Sequence, residues 1–390
     1  MRIQIKRYFY SKILICIVLV IILNVFMYFQ LQNPYKVKFH WNIITKEQER
    51  YLYWSSMKYT SPYNKEMKKV PYFIDLKNSC DIVDDKKWRE YFYNNLDLHP
   101  EFMNGALFKR PDGLSFDQSD HLSFESQESI VSMLSSEGII IEKGGYSRVR
   151  DKSCFKRESL AIFVPYKNRK DNLLKFIVYM HRFLNFQRRE YQIFFLEQDN
   201  DLLFNRAKLF NAGMHSVGLN KTNRDDYVKD DFDCIAFHDI DKVPFDNQLL
   251  YSCQENPIQA LRKQISVQRN NKEVIDFYKG FMGGVTFINR WILLQMNGAS
   301  NVFRGWGGED DDIYERIRII GSDLELVNVD QGTFLHLDHK DKPNPNKERY
   351  RMLEKKFVID RFINDGYSQV KFRLTKRIQY PLYTLFSYDL

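Results

Sequence analysis

Several kinds of tract are missing from this chain of 390 residues, and each absence removes a class of function. No long basic block and no interleaved basic–aromatic tract occurs, although Lys and Arg outnumber Asp and Glu by 58 to 50. The resulting charge of +8 lies on a mixed surface, favours anionic partners weakly and gives no nucleic-acid footprint. Neither GxGxxG nor a P-loop is found, which disfavours an ordinary dinucleotide or ATP site. CxxC and Cys/His zinc spacings are absent, so structural zinc is not expected. There is no internal repeat. A 44% apolar and 28% charged composition is that of a globular chain with a sizeable core, not a disordered one. Aromatic residues, by contrast, reach 15%, enough for surfaces where rings meet a base or a sugar.

At the N-terminus Arg2, Lys6, Arg7 and Lys12 precede an apolar run from Ile13 to Phe29, broken by Asn24. As a helix that run spans roughly 25 Å, the lower limit for crossing a bilayer. The basic flank predicts a cytoplasmic tail (1–12), a signal anchor (13–30) and a translocated remainder. A cleaved signal peptide is the alternative, but the run ends in bulky aromatics and lacks a small-x-small cleavage pattern. Of five cysteines, Cys16 lies in the span. Cys80, Cys154, Cys234 and Cys253 make an even number, which in an oxidising lumen reads as two disulfides with three connectivities open. Asn220-Lys221-Thr222 is a glycosylation sequon consistent with that compartment.

Residues 31–78 hold Tyr, Lys and Asn without periodicity and read as a stem, leaving 79–390 as the main domain. From Ser159 a regular alternation begins. SLAIFVP, YQIFFLEQ, DCIAFHDID and GGVTFIN read as buried strands, and LELVNVDQGTFL is strand-like. LLKFIVYMHRFL, LFNRAKLFNAGMHSV and DDDIYERIRIIG read as helices, the last stopped by Gly321. Such alternation predicts an α/β fold with a mainly parallel sheet and a ligand site at its C-terminal strand edge.

Chemistry-bearing residues gather at four strand ends. Pro165-Tyr166-Lys167-Asn168-Arg169 offers cations for a phosphate or a uracil carbonyl. Asp239-Ile240-Asp241 sets two carboxylates at i and i+2, which on an extended chain project to one side. Hard oxygen ligands so placed favour Mg²⁺ or Mn²⁺. Gly305-Trp306-Gly307-Gly308 lets a ligand approach an indole face. Glu309, Asp310, Asp311 and Asp312 then open a helix whose dipole tolerates negative charge, and one of them could take a proton from a sugar hydroxyl. His336-Leu337-Asp338-His339 supplies imidazoles that could complete a metal shell. The loop after it, rich in Pro and Asn, is a candidate lid.

These blocks resemble the β-1,4-galactosyltransferases, Golgi type II membrane enzymes with a nucleotide-sugar-binding GT-A fold. The resemblance runs from about Cys80 to the C-terminus, through FVPYKNR, FNRAKL, DCIAFHDIDKVP, GGVTFINR, NGASN, GWGGEDDDIYERI, DGYSQVKF and YPLYT. It implies inverting transfer of galactose from UDP-galactose to a terminal N-acetylglucosamine or glucose, with Mn²⁺ or another divalent cation. By position, Arg169, Phe204, Arg206, Asp239, Ile240, Gly284 and Trp306 would contact the donor. Phe281, Gly307, Gly308, Glu309, Asp311, Arg349 and Tyr350 would line the acceptor site, and Asp310 would be the general base. Asp241 would bind the metal with His336, His339 or both. The resemblance also selects the disulfides Cys80–Cys154 and Cys234–Cys253.

Departures from the family pattern bear on specificity. Its usual Met-x-x-His metal motif is His336-x-x-His339 here, and its first basic residue after the opening strand is Lys167, a point charge without a guanidinium's fork. Arg304 stands where the family has a mobile Trp. Phe281 replaces the Tyr of galactose-specific members, keeping the bulk and losing the hydroxyl, which leaves an N-acetylgalactosaminyltransferase as the alternative. A non-catalytic membrane-anchored lectin of the same fold is a further alternative, opposed by the intact DID and GWGGEDDD motifs.

Overall fold

The computed structural model describes residues 108–148, 158–187, 189–219, 232–246, 248–268, 271–338 and 344–390. The apolar run at 13–29, the stem, Cys80, Cys154, Asn220 and His339 lie outside the described residues. Within them no helix is long and apolar enough to cross a membrane.

In chain order the elements begin with α1 (Phe124–Ser136), β1 (Tyr146–Ser147), β2 (Ser159–Tyr166), α2 (Lys170–Phe186), β3 (Glu190–Gln198) and α3 (Arg206–Ser216). There follow β4 (Cys234–His238), β5 (Lys242–Pro244), β6 (Ile258–Gln259), β7 (Lys263–Gln268), β8 (Asn271–Asp276), β9 (Val285–Asn289) and α4 (Arg290–Gln295). The chain closes with α5 (Glu309–Ile319), β10 (Glu325–Leu326), β11 (Thr333–His336), α6 (Arg349–Met352), α7 (Lys355–Asn364), β12 (Arg373–Gln379) and β13 (Thr384–Asp389).

The main sheet runs β10-β6-β9-β4-β2-β3-β13-β12, with β1 paired to β3; a second sheet runs β5-β11-β7-β8. Side-chain alternation along its central strands sorts the core into two layers. Leu160, Ile162 and Val164 of β2, with Tyr191, Ile193 and Phe195 of β3, face Leu173, Phe176 and Ile177 of α2. Ala161 and Phe163, with Phe194 and Leu196, face Ala207, Phe210 and Met214 of α3. Both faces are therefore covered, which is why these strands read as continuous apolar runs.

The expected mainly parallel sheet is half right. β4–β2, β2–β3, β3–β13 and β6–β10 are parallel. β4–β9, β6–β9, β12–β13 and β1–β3 are antiparallel. The cause lies after β4. There the chain builds β5, returns to the N-terminal edge where Cys253 bonds Cys234, crosses the main sheet again as β6 parallel to β4, and builds β7 and β8; β9 therefore enters from the C-terminal edge and runs back. The strand-like stretch 324–335 is also two short strands, separated by a turn in which Thr333 donates its N–H to Asp330. Cys234 in β4 is disulfide-bonded to Cys253.

Candidate active site

β2, β3 and β4 end, and β9 begins, at one edge of the main sheet, and the motifs after them meet there. Beyond β2, Lys167 and Arg169 divide the work. The Lys167 ammonium donates to the carbonyls of Asn200 and Leu202, both at 2.8 Å, and so fastens the loop after β3. Gln198 holds the same loop from inside, donating to the Leu202 carbonyl and accepting from the Asn205 amide. Arg169 stands at the head of α2, where burial lowers its pKa and the nearby Asp241 carboxylate opposes that shift. Beside it an open cleft of about 880 Å³ runs between the start of α2 and the segment around Arg110–Phe116, and Arg206, Asp239, Asp241 and Trp306 do not border it.

Arg206, the first residue of α3, is the hub. Its Nε donates to Asp239 at 2.6 Å, and its Nη1 lies 4.0 Å from Glu309. The guanidinium sits 4.8 Å over the Phe210 ring, and Nη1 and Nη2 lack a hydrogen-bond partner among the described residues. One buried cation thus ties the end of β4 to the start of α5.

The Asp239-Ile240-Asp241 stretch is not extended, contrary to the i, i+2 reading. β4 ends at His238 and the three residues form a turn. The two carboxylates consequently have separate partners. Asp239 accepts from Arg206 and from the Gly284 amide, while its own amide donates to the Gly284 carbonyl. Gly284 has φ 66°, and a Cβ there would stand 2.1 Å from Leu261 Cδ2, so a side chain is excluded on both counts. The Ile240 side chain is part of the core, which leaves only its backbone for a ligand. Asp241 instead meets Lys242 Nζ at 2.9 Å and His336 Nδ1 at 3.2 Å.

The four acids opening α5 separate by helical geometry. Asp312 turns inward and is fully buried, accepting from Arg316 and Arg361 at 2.6 Å each. It is a structural anchor between α5 and α7. Glu309 and Asp310 face Arg206. Burial raises both carboxyl pKa values, Glu309 up to about 7 with Asp310 adding to the rise, and Asp310 with the charge of Asp311 adding; Arg206 opposes each shift. Glu309 Oε2 lacks a hydrogen-bond partner among the described residues. Asp311 points out and accepts from the Tyr278 hydroxyl at 2.6 Å. Burial, then that hydrogen bond, raises the Tyr278 pKa, so the hydroxyl remains a donor. The Phe281 ring stacks 4.3 Å from Phe277 and lies edge-on to Tyr278.

Trp306 is 60% exposed yet held by its backbone. Its amide donates to the Asn344 carbonyl and its carbonyl accepts from the Asn346 amide. The Gly305 amide donates to the carbonyl of Phe204. The Arg349 guanidinium lies 5.5 Å from the Trp306 ring centroid and 4.7 Å from that of Tyr350, within cation–π range of both. Gly307 and Gly308, at φ 99° and 94°, carry the chain past Arg349, whose Cδ and Cβ would lie 3.0 Å from an added Cβ.

Sequence reading had singled out neither Lys242 nor Tyr278. Their signals were a lysine immediately after a metal-type carboxylate pair and a tyrosine three residues before Phe281. The remaining proposed site residues within the described residues gather at this edge, apart from the Ile240 side chain.

The chain is similar to known glycosyltransferases. The family model for the N-terminal region of glycosyl transferase group 7 matches residues 115–254, and that for the N-terminal domain of galactosyltransferase matches 263–340. Beta-1,4-galactosyltransferase 4 of Homo sapiens is 34% identical over 244 residues, covering 62% of this chain and 66% of that protein. Beta-1,4-galactosyltransferase 1 of Mus musculus is 32% identical over 253 residues, covering 64% and 59%. The match thus spans less than two thirds of the length of these curated relatives. A crystal structure of the catalytic domain of Drosophila beta1,4-galactosyltransferase 7 with xylobiose is 26% identical, covering 60% of this chain and 93% of that one, with a TM-score of 0.47. Since the two models together take in more than half of the chain and meet on the edge just described, the protein belongs to the β-1,4-galactosyltransferase family of glycosyltransferases.

Proposed function

We propose that the chain is an inverting galactosyltransferase on a GT-A-type domain, moving galactose from UDP-galactose to the 4-hydroxyl of a terminal N-acetylglucosamine or glucose. The carrying observation is Arg206, which spans Asp239 and Glu309 and so joins the nucleotide-side turn to the acid-flanked indole. The names of the relatives, β-1,4-galactosyltransferases, support the same reaction.

The donor atoms suit a divalent cation, Mn²⁺ or Mg²⁺. Asp241 Oδ2 and His336 Nδ1 are 3.2 Å apart, close to the roughly 3 Å between neighbouring ligands on one ion with bonds of about 2.1 Å. Asp241 and His336 would hold that ion, which supplies Lewis-acid stabilisation of the departing diphosphate. Arg169 and Arg206 add fixed positive charge beside it. The acceptor sugar lies against the Trp306 face and its acid rim. Asp310, in its ionised form, takes the proton of the acceptor 4-hydroxyl as the oxygen bonds to the anomeric carbon from the opposite face. The anomeric C–O bond breaks, and UDP leaves with the electron pair. The Tyr278 hydroxyl holds Asp311 in place at the rim.

The reading extends to a single-pass Golgi enzyme with its catalytic domain in the lumen and a glycoprotein or glycolipid glycan as acceptor. The basic-flanked apolar run at 13–29 supports the anchor. Phe281 keeps the bulk that argues for galactose but lacks the hydroxyl that would sharpen the choice, which leaves UDP-N-acetylgalactosamine as the second reading. Offering both nucleotide sugars in competition with an N-acetylglucosamine acceptor and Mn²⁺ tests the two. We expect a galactosylated product. A product carrying only N-acetylgalactosamine selects the second reading, and absence of transfer from either donor refutes both.

A further inference from the structure

Lys242 opens β5 and pairs in register with His336 of β11, so the second sheet itself brings the two side chains together. The lysine is only 7% exposed, a position that a charged ammonium occupies only with compensation. Its compensation is the proposed metal-binding pair. Nζ lies 2.9 Å from Asp241 Oδ2 and 2.9 Å from His336 Nδ1. An ammonium has three donors and no acceptor. The hydrogen bond to His336 therefore uses the Nδ1 lone pair, the same one a metal would need. Among the described residues the third N–H has no partner, so it can be directed at a ligand. Arg169 is near enough to Asp241 for the two charges to interact, and Arg206 has two buried nitrogens without hydrogen-bond partners among the described residues.

We propose that Lys242 is a built-in cation of the donor site: its ammonium, held between Asp241 and His336, binds the diphosphate of the nucleotide directly, and a divalent ion enters only by displacing it. The proposal rests on the nucleotide-sugar reading above. Nucleotide binding then persists without metal, because Lys242, Arg169 and Arg206 supply positive charge from the chain itself. Bare metal binds weakly, because both donor atoms are already engaged.

Calorimetry on the full chain tests this with UDP as probe, in chelator and in Mn²⁺, and with Mn²⁺ alone. The wild type is expected to bind UDP in chelator within about tenfold of its affinity in Mn²⁺. Lys242→Met, of similar length and without charge, is expected to lose at least tenfold in chelator and to bind Mn²⁺ alone at least tenfold more tightly. Lys242→Arg, which keeps the charge, is expected to stay within about threefold of wild type in chelator and keeps the test open should the methionine variant fold poorly. UDP binding by the wild type only in the presence of Mn²⁺, or equal affinities of wild type and Lys242→Met in chelator, overturns the proposal and leaves the nucleotide-sugar reading standing. Absence of UDP binding under every condition overturns both.

Discussion

Asp310→Asn separates chemistry from binding. Asp310 is 8% exposed and one residue from Asp311, with Arg206 opposing the rise in its pKa. The amide keeps the shape of the carboxylate and cannot accept a proton. Loss of a positioned general base costs about 10²- to 10⁴-fold in rate, which at about 1.36 kcal/mol per decade is roughly 3–5 kcal/mol of barrier. UDP contacts are untouched, so its affinity should stay within about threefold of wild type. The pH profile gives a second readout. A base works only when ionised, and burial raises this carboxyl, so wild-type kcat/KM should fall as pH drops through that raised pKa. The variant should lose this acid limb. Transfer of radiolabelled galactose across a pH series, with UDP affinity measured in parallel, decides the matter. A loss below tenfold, or an unchanged acid limb, would remove Asp310 as the base.

Asp312, two residues on, should behave oppositely. Asp312→Ala leaves Arg316 and Arg361 without their buried carboxylate, a change that typically costs about 3–5 kcal/mol. That corresponds to a melting temperature lower by roughly 10 °C in a domain of this size, and a calorimetric loss of only a degree or two would show that the cluster contributes little. Glu309 makes the fold sensitive to pH. Its pKa is raised in the fold, so its stabilising contribution is full below its ordinary value of 4.5 and lost as pH rises to about 7. The loss is on the order of 3 kcal/mol. Glu309→Gln should flatten urea midpoints between pH 4.5 and 7.5, and an equal slope in variant and wild type would contradict this.

Periodicity carried much of the fold. β2, β3, β4 and β9 were visible as apolar runs because helices cover both faces of the sheet, and α2, α3 and α5 as helical spacing. β12 was not visible as a strand, since an exposed edge strand such as Arg373–Gln379 has no buried face to alternate against. The site was legible at the level of motifs but not of partners. GWGGEDDD announces an acidic helix start, yet separating Asp310 from Asp312 needs the i, i+4 pairing of Asp312 with Arg316 beside Ile313 and Ile317. Lys242 could not have been read at all as a partner of His336, because 94 residues separate them and only the β5–β11 register brings them together.

One feature of the indole links two parts of the molecule mechanically. Trp306 exchanges backbone hydrogen bonds with Asn344 and Asn346, on a segment that leads within four residues to Arg349 and Tyr350. Separating the two strips would sacrifice two main-chain bonds, each worth about 1 kcal/mol net, together with the guanidinium resting over the ring. They travel more cheaply as one flap. Under the function proposed above, a sugar that draws the tryptophan toward itself would tow the arginine along, so that gripping the donor and shaping the berth for the incoming glycan would be a single movement.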